Sequence, residues 1–195
     1  MTPVANTEPP VIQSARPPRK VAIQEARQFV YDHSFANMNT VNQQGQFLDF
    51  PTSQIEYYAD CGTDGATLLM VKIDLSSAFR NVDKGSPTSL TIRTGDAANA
   101  TTPVDVAAQK RIILYGEFTA ANPSESQVQR FLSLHPDAKS WIPGANGFHG
   151  STWVEFTISG IYYIGGFGDA HYIGQIPLDS YKEVQPTAKK RGWFW

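Results

Sequence analysis

The feature that most constrains this chain is a long alternating segment that runs directly into paired glycines. Across residues 153–164, Val154, Phe156 and Ile158 fall on one face, and Trp153, Glu155, Thr157 and Ser159 on the other. A period of two marks a strand buried on one side. The segment Ile164-Gly165-Gly166-Phe167-Gly168-Asp169-Ala170-His171-Tyr172-Ile173 follows it. Adjacent glycines after a strand permit a bulge or a close approach between backbones. Gly165, Gly166, Phe167, Gly168 and Ala170 are therefore expected to be structural. The strand should bend there to close a barrel, with Phe167 turned inward and Ala170 leaving room for it.

The rest of the chain reads as strands punctuated by turns. Ala22, Ala26 and Phe29/Val30 recur at helical spacing, which predicts a first helix over 19–32. Residues 35–41 then read as a strand, Gln43-Gln44-Gly45 as a turn and 46–50 as the returning strand of a hairpin. Further strands are expected over 53–60, 66–75, 88–94 and 107–119, with a short helix over 76–84 and a small, polar surface loop over 95–105. Asn122-Pro123-Ser124-Glu125 reads as a helix start, with Asn122 as cap and Pro123 in the first helical position. Val128, Phe131 and Leu132 are its expected buried stripe, and His135-Pro136 its end. Six or seven strands, with turn signals at intervals of about 8–12 residues, favour a mainly-β barrel with a few helices over a doubly wound sheet.

At 195 residues the chain suits one domain with tails: a Pro-rich arm over 1–18, a barrel over 19–185 and a basic-aromatic tail over 186–195. Its net charge of −2 argues against a nucleic-acid partner. One cysteine, Cys61, excludes an internal disulfide and a zinc site built on several thiolates. No apolar run approaches the ~20 residues that span a bilayer, so an integral membrane protein is not expected. An organelle (mitochondrion or plastid) or a secretory lumen is the expected compartment. Asn99-Ala100-Thr101 fits the glycosylation acceptor pattern. There is no metal spacing on a helix, no Gly-x-Ser-x-Gly elbow and no nucleotide-binding glycine loop. In the tail, Lys189-Lys190-Arg191 precede Trp193, Phe194 and Trp195. Those aromatics are expected to dock on a protein partner or to make peripheral membrane contact.

Two stretches carry a resemblance. Arg130-Phe131-Leu132-Ser133-Leu134-His135-Pro136-Asp137-Ala138-Lys139-Ser140-Trp141, followed by a strand and then Gly165-Gly166-Phe167-Gly168, resembles the CREG-type branch of the pyridoxamine-phosphate-oxidase-like, FMN-binding split-barrel superfamily. HugZ-like haem-utilisation proteins are similar over the same stretch. Ala26-Arg27, Pro87-Thr88-Ser89-Leu90 and the strand–helix–strand order around Ser76 match as well. The resemblance implies an FMN-binding split β-barrel. It places a cofactor phosphate near Lys72, Ser76, Ser77 and Arg80, because phosphate wants cationic forks and hydroxyls. It makes His171 the candidate for haem, with His149 behind it. The basic residue usual on the preceding strand is absent, where Ser53, Gln54 and Glu56 stand, and Phe79 lies where many members have a histidine. The first expectation is therefore a non-catalytic protein without cofactor. It would act through protein contact, as a homodimer or an accessory subunit of a larger assembly. An FMN- or haem-binding oxidoreductase and a secreted CREG-like glycoprotein are the alternatives.

Overall fold

A computed structural model describes residues 17–62, 64–94, 106–145 and 150–188. Helix α1, Arg19–Asp32, forms where the spacing places it, and it buries Ala22, Ala26, Phe29 and Val30. Strand β1, Phe35–Val41, pairs antiparallel with β2, Pro51–Asp60, in register from Phe35↔Tyr57 to Val41↔Pro51. Residues 46–50 are thus not the returning strand. The 42–50 segment is a loop, closed by Asn42 N donating to Phe50 O at 2.9 Å and Asp49 N to Asn42 O at 2.8 Å. Asp49 has φ 67, a left-handed conformation that breaks an extended path.

Strand β3, Thr67–Ile73, leads to the short helix α2, Ser77–Asp83, and then to β4, Thr88–Arg93. Strand β5, Arg111–Ala120, is followed by α3, Glu125–Leu134. The cap of α3 is Ser124, not Asn122, and Pro123 stays outside the helix. Ser124 and Gln127 complete a reciprocal capping box. Of the expected stripe only Phe131 is fully buried. The chain continues through β6, Ser151–Ile164, and β7, Ile173–Gln175, to α4, Leu178–Lys182. Sequence patterning gave no sign of α4.

The sheet order is β3-β2-β1-β4-β5-β6-β7, and an added β3–β6 pairing closes six of these strands into an antiparallel barrel. Strand β6 accomplishes this by length. Its first half pairs with β3 from Thr67↔Thr157 to Ile73↔Ser151, and its last residues pair with β7 from Tyr162↔Gln175 to Ile164↔Ile173. Closure therefore lies in the first half of β6, not at the glycine motif. Opposite β5, the register passes from Tyr115↔Gly160 to Gly116↔Ile158, leaving Ser159 as an extra residue. That bulge switches the inward set from Val154, Phe156 and Ile158 to Ile161 and Tyr163. These side chains fill the barrel together with Met38, Leu68, Met70, Phe79, Leu90, Ile92, Ile112 and Leu114.

The glycine motif makes a hairpin into β7. Gly165 N donates to Tyr172 O at 2.8 Å, and a Cβ on Gly166 would meet the His171 ring at 2.6 Å. The close approach expected of the glycines is present. Phe167, however, points outward and is 68% exposed. The interior at this end is already taken by Tyr163, whose ring lies 3.3 Å from where a Gly165 Cβ would stand.

Candidate functional site

Four candidate residues meet around α2. The polypeptide leaves β3 through a turn in which Ser76 N donates to Ile73 O, and Ser76 caps α2 by accepting from Phe79 N at 3.5 Å. The Ser76 hydroxyl donates to Glu56 Oε1 at 3.0 Å. The Ser77 hydroxyl accepts from Gln54 Nε2 at 2.5 Å. Lys72 Nζ donates to both Asp83 carboxylate oxygens, at 2.5 and 2.7 Å. Arg80 is exposed. Burial pushes the Glu56 carboxyl above its usual range, and the Ser76 hydrogen bond offsets part of that rise.

This donor set does not fit a phosphate. A phosphate cradle offers hydroxyls and cations with no competing acid. Here three of the four have an internal partner: Glu56 takes the Ser76 hydroxyl, Gln54 donates to Ser77 and Asp83 takes the Lys72 ammonium. That leaves exposed Arg80 as the one cation of the set without an internal partner among the described residues. Glu56 itself would stand as an anion beside an incoming anion.

His171 lies apart from this cluster. It is exposed on the β6–β7 turn, its ring over Gly166. A row on the outer barrel face runs beside it, with Arg93 opposite Arg111, Arg111 opposite Ile164, and Ile164 opposite Ile173. His135, by contrast, is 4% exposed and stacks on Tyr57 at 4.3 Å, with Nε2 facing Tyr58 O at 3.0 Å. It ends α3 and holds it on β2.

The outer face of the barrel has a composition that the sequence alone did not reveal. One cross-strand row reads Ile55, Asn37, Thr91, Ile113, Tyr162 and Gln175, and the next Ser53, Asn39, Ser89, Tyr115 and Gly160. Neither row holds a charge. Asn39 Nδ2 donates along the face to Thr91 Oγ1 at 2.9 Å and Ser89 Oγ at 3.2 Å. Ile55 is 66% exposed and Tyr115 47%. Charges on exposed strands ordinarily deter edge and face association, and these two rows lack them.

A second polar node was equally hidden. Arg27, on α1, makes a bidentate pair with Asp60 at the end of β2, with side-chain exposures of 1% and 2%. Asp60 Oδ1 also accepts from Gly62 N at 2.9 Å, and the Arg27 guanidinium lies 5.4 Å from the Tyr181 ring centre. Burial works against the Arg27 charge, but the contacts with Asp60 and Tyr181 together outweigh it and hold Arg27 protonated. A buried Arg–Asp pair needs residues 33 apart to meet, and only the topology shows that. Cys61 beside it is half-buried, and burial pushes its thiol up to about 11, so it is not an activated nucleophile.

Two grooves flank α1. One of about 740 Å³ is lined by Glu25, Gln28, Phe29, Asp32, Lys110 and Thr187. Another, of about 610 Å³, lies between Arg19, Lys20 and Ile23 and residues 183–185. Among the described residues no group of histidine, cysteine and carboxylate side chains could hold a metal ion, and no helix is long and apolar enough to cross a membrane. His149, Asn99, the arm over 1–16 and the tail residues Trp193, Phe194 and Trp195 lie outside the described residues.

A family model described as "CREG, beta-barrel" matches residues 17–183. No curated protein matches the chain in sequence. Among solved structures, a haem binding protein from Mycobacterium smegmatis is similar over 88% of this chain and 63% of its own, at 18% identity and a TM-score of 0.66. The chain thus spans less than two thirds of that protein. A pyridoxinephosphate-oxidase-family protein from Clostridium acetobutylicum, related to general stress protein 26, is similar over 83% of this chain and 98% of its own, at 13% identity and a TM-score of 0.53. HutZ, a haem storage protein from Vibrio cholerae, is similar over 74% of this chain and 96% of its own, at 15% identity and a TM-score of 0.51. At these identities the likeness concerns the fold, and the fold is the split barrel.

Proposed function

The chain belongs to the CREG β-barrel family, and from that premise we propose that it is a non-catalytic binding protein, homodimeric and without a phosphate-anchored flavin. The observation that carries this reading is the internal neutralisation at α2, where Glu56 holds Ser76 and Asp83 holds Lys72. The uncharged rows from Ser53 to Gly160 and from Ile55 to Gln175 supply a surface for the second copy. A solvated face of an antiparallel sheet normally carries polar and charged residues, and in these two rows the outward residues are amide, hydroxyl, aromatic, glycine or aliphatic. Light scattering after gel filtration tests the dimer: a twofold mass is expected, and Ile113→Arg or Ser89→Arg should return a monomer. Titration with flavin mononucleotide tests the rest. Saturable binding with turnover of a reduced substrate would overturn the proposal.

A second reading is a haem-binding protein of the same fold, and the relatives' names speak for it more than for the first. Within this chain one arrangement favours it. Arg93 and Arg111 stand beside Ile164 and Ile173 on the outer face, with exposed His171 and Phe167 on the adjoining turn. That is a cationic and apolar row with an imidazole at its edge, the chemistry a planar dicarboxylate macrocycle takes. Haemin titration followed in the visible band decides between the readings. Haem binding predicts saturation and a roughly tenfold loss in Arg111→Ala, about the worth of one charge-assisted hydrogen bond. Absence of saturation removes this reading and leaves the first.

A further inference from the structure

We propose that the groove between α1 and the β4–β5 rim is the docking site of the chain's own basic-aromatic segment, Lys189–Trp195. Two fixed points give the direction of approach. After α4, residues 183–185 lie against the first half of α1, facing Arg19, Lys20, Ile23 and Gln24. Thr187 is then held at the middle of α1 by a reciprocal amide pair: its N–H donates to Gln28 Oε1 at 2.9 Å, and its carbonyl accepts from Gln28 Nε2 at 3.0 Å. The chain therefore advances towards the C-terminal end of α1. A helix rises ~1.5 Å per residue and an extended chain ~3.3 Å, so two or three residues beyond Thr187 reach the level of Asp32.

The groove at that level has the complementary chemistry. Glu25 and Asp32 stand on its α1 wall, and Phe29 and His33 pack together there with ring centres 4.2 Å apart. Lys110, on the opposite wall, reaches Glu25 at 3.4 Å, but both partners are about four-tenths exposed. Such an exposed pair is weak and yields to a closer cation. Lys189, Lys190 and Arg191 would meet Glu25 and Asp32. Gly192 would turn the chain, and Trp193, Phe194 and Trp195 would lie over His33 and the exposed edge of Phe29 in a space of about 740 Å³. Three neighbouring aromatics are costly to leave in water, which favours a docked segment.

The test is hydrogen exchange on the full chain against a chain ending at Ala188. Docking predicts that amides of residues 29–33 and 184–187 exchange about tenfold faster in the shortened protein while β1–β6 are unchanged. Charge reversal at Asp32→Lys should reproduce the loss in the full chain. Adding Lys189→Glu and Lys190→Glu to that variant should restore protection, a rescue that a merely destabilised α1 would not show. Equal exchange in both chains overturns the proposal. So does protection that appears only at high protein concentration, which would place the segment in a second copy. Protection acquired only with phosphatidylcholine–phosphatidylserine vesicles also overturns it, because the aromatics would then be docking on lipid.

Discussion

Under α1, Arg27 and Asp60 face each other at 1% and 2% exposure; beside α2, Lys72 and Asp83 face each other at 24% and 51%. Both are cation–carboxylate pairs that tie a helix to the barrel. The first has no water to fall back on. Its members are bound on several sides, by Gly62 N and the Tyr181 ring as well as by each other. The second is solvated, and its partner groups can exchange with water at little cost. The difference separates two jobs. The α1 node fixes where α1 and α4 sit. The α2 node sets the charge of the place where the family resemblance puts a cofactor phosphate, and its solvated pair holds the fold less tightly.

Breaking the buried pair from one side should have the largest effect. Arg27→Ala or Asp60→Ala leaves an uncompensated buried charge, and an unfolding free energy lower by about 3–5 kcal/mol is expected. Urea unfolding followed by tryptophan fluorescence measures it. Arg27→Lys should fall between, because a lysine cannot reproduce the bidentate fork. A loss under about 1 kcal/mol in Asp60→Ala would show that the pair is not the clamp described above.

Asn81 sharpens the comparison, since it puts a buried polar group on the same short helix as the solvated pair. It is 4% exposed, accepts from Gln43 N at 3.2 Å, and donates to Thr40 Oγ1 at 3.1 Å and Asn42 Oδ1 at 3.2 Å. Asn81→Ala orphans those groups and should cost about 1–3 kcal/mol. Lys72→Ala, one face away, should cost under about 1 kcal/mol. If the two losses were equal, burial would not be what separates the nodes.

The parts of this protein that were legible in sequence are those set by local rules. The period of Ala22, Ala26 and Val30 gave α1 its bounds, and the alternation from Trp153 gave β6. The Ser159 bulge was invisible, because an extra residue shows only against its partner Tyr115. Phe167 was placed inward on the strength of its glycine neighbours, although Tyr163 had already filled that space. At α2 the candidate residues could be named from the resemblance, and the missing strand cation could be noticed. That Glu56 reaches Ser76, and Asp83 reaches Lys72, needed the three-dimensional register of β2, β3 and α2. The two uncharged rows were likewise spread over six strands and had no linear signature.

The smallest expected effect is also the most diagnostic of the α2 node. Burial raises the Glu56 carboxyl above the usual carboxylate range. A carboxyl whose folded value lies above its unfolded one contributes stability below that range, and the contribution is lost as pH rises through the folded value. Stability carried by Glu56 should therefore decline from acid towards neutral pH. Glu56→Gln keeps an oxygen for the Ser76 hydroxyl and removes the titration. The variant should lose this decline and be at least as stable as the parent at pH 7, by urea midpoints measured from pH 4 to pH 8. It also removes the anion that opposes phosphate at this place. If Glu56→Gln gains measurable affinity for inorganic phosphate while the parent has none, the carboxylate is what closes the cradle. If neither binds, Asp83 and the missing strand cation suffice, and a Glu56→Arg variant becomes the next discriminating step.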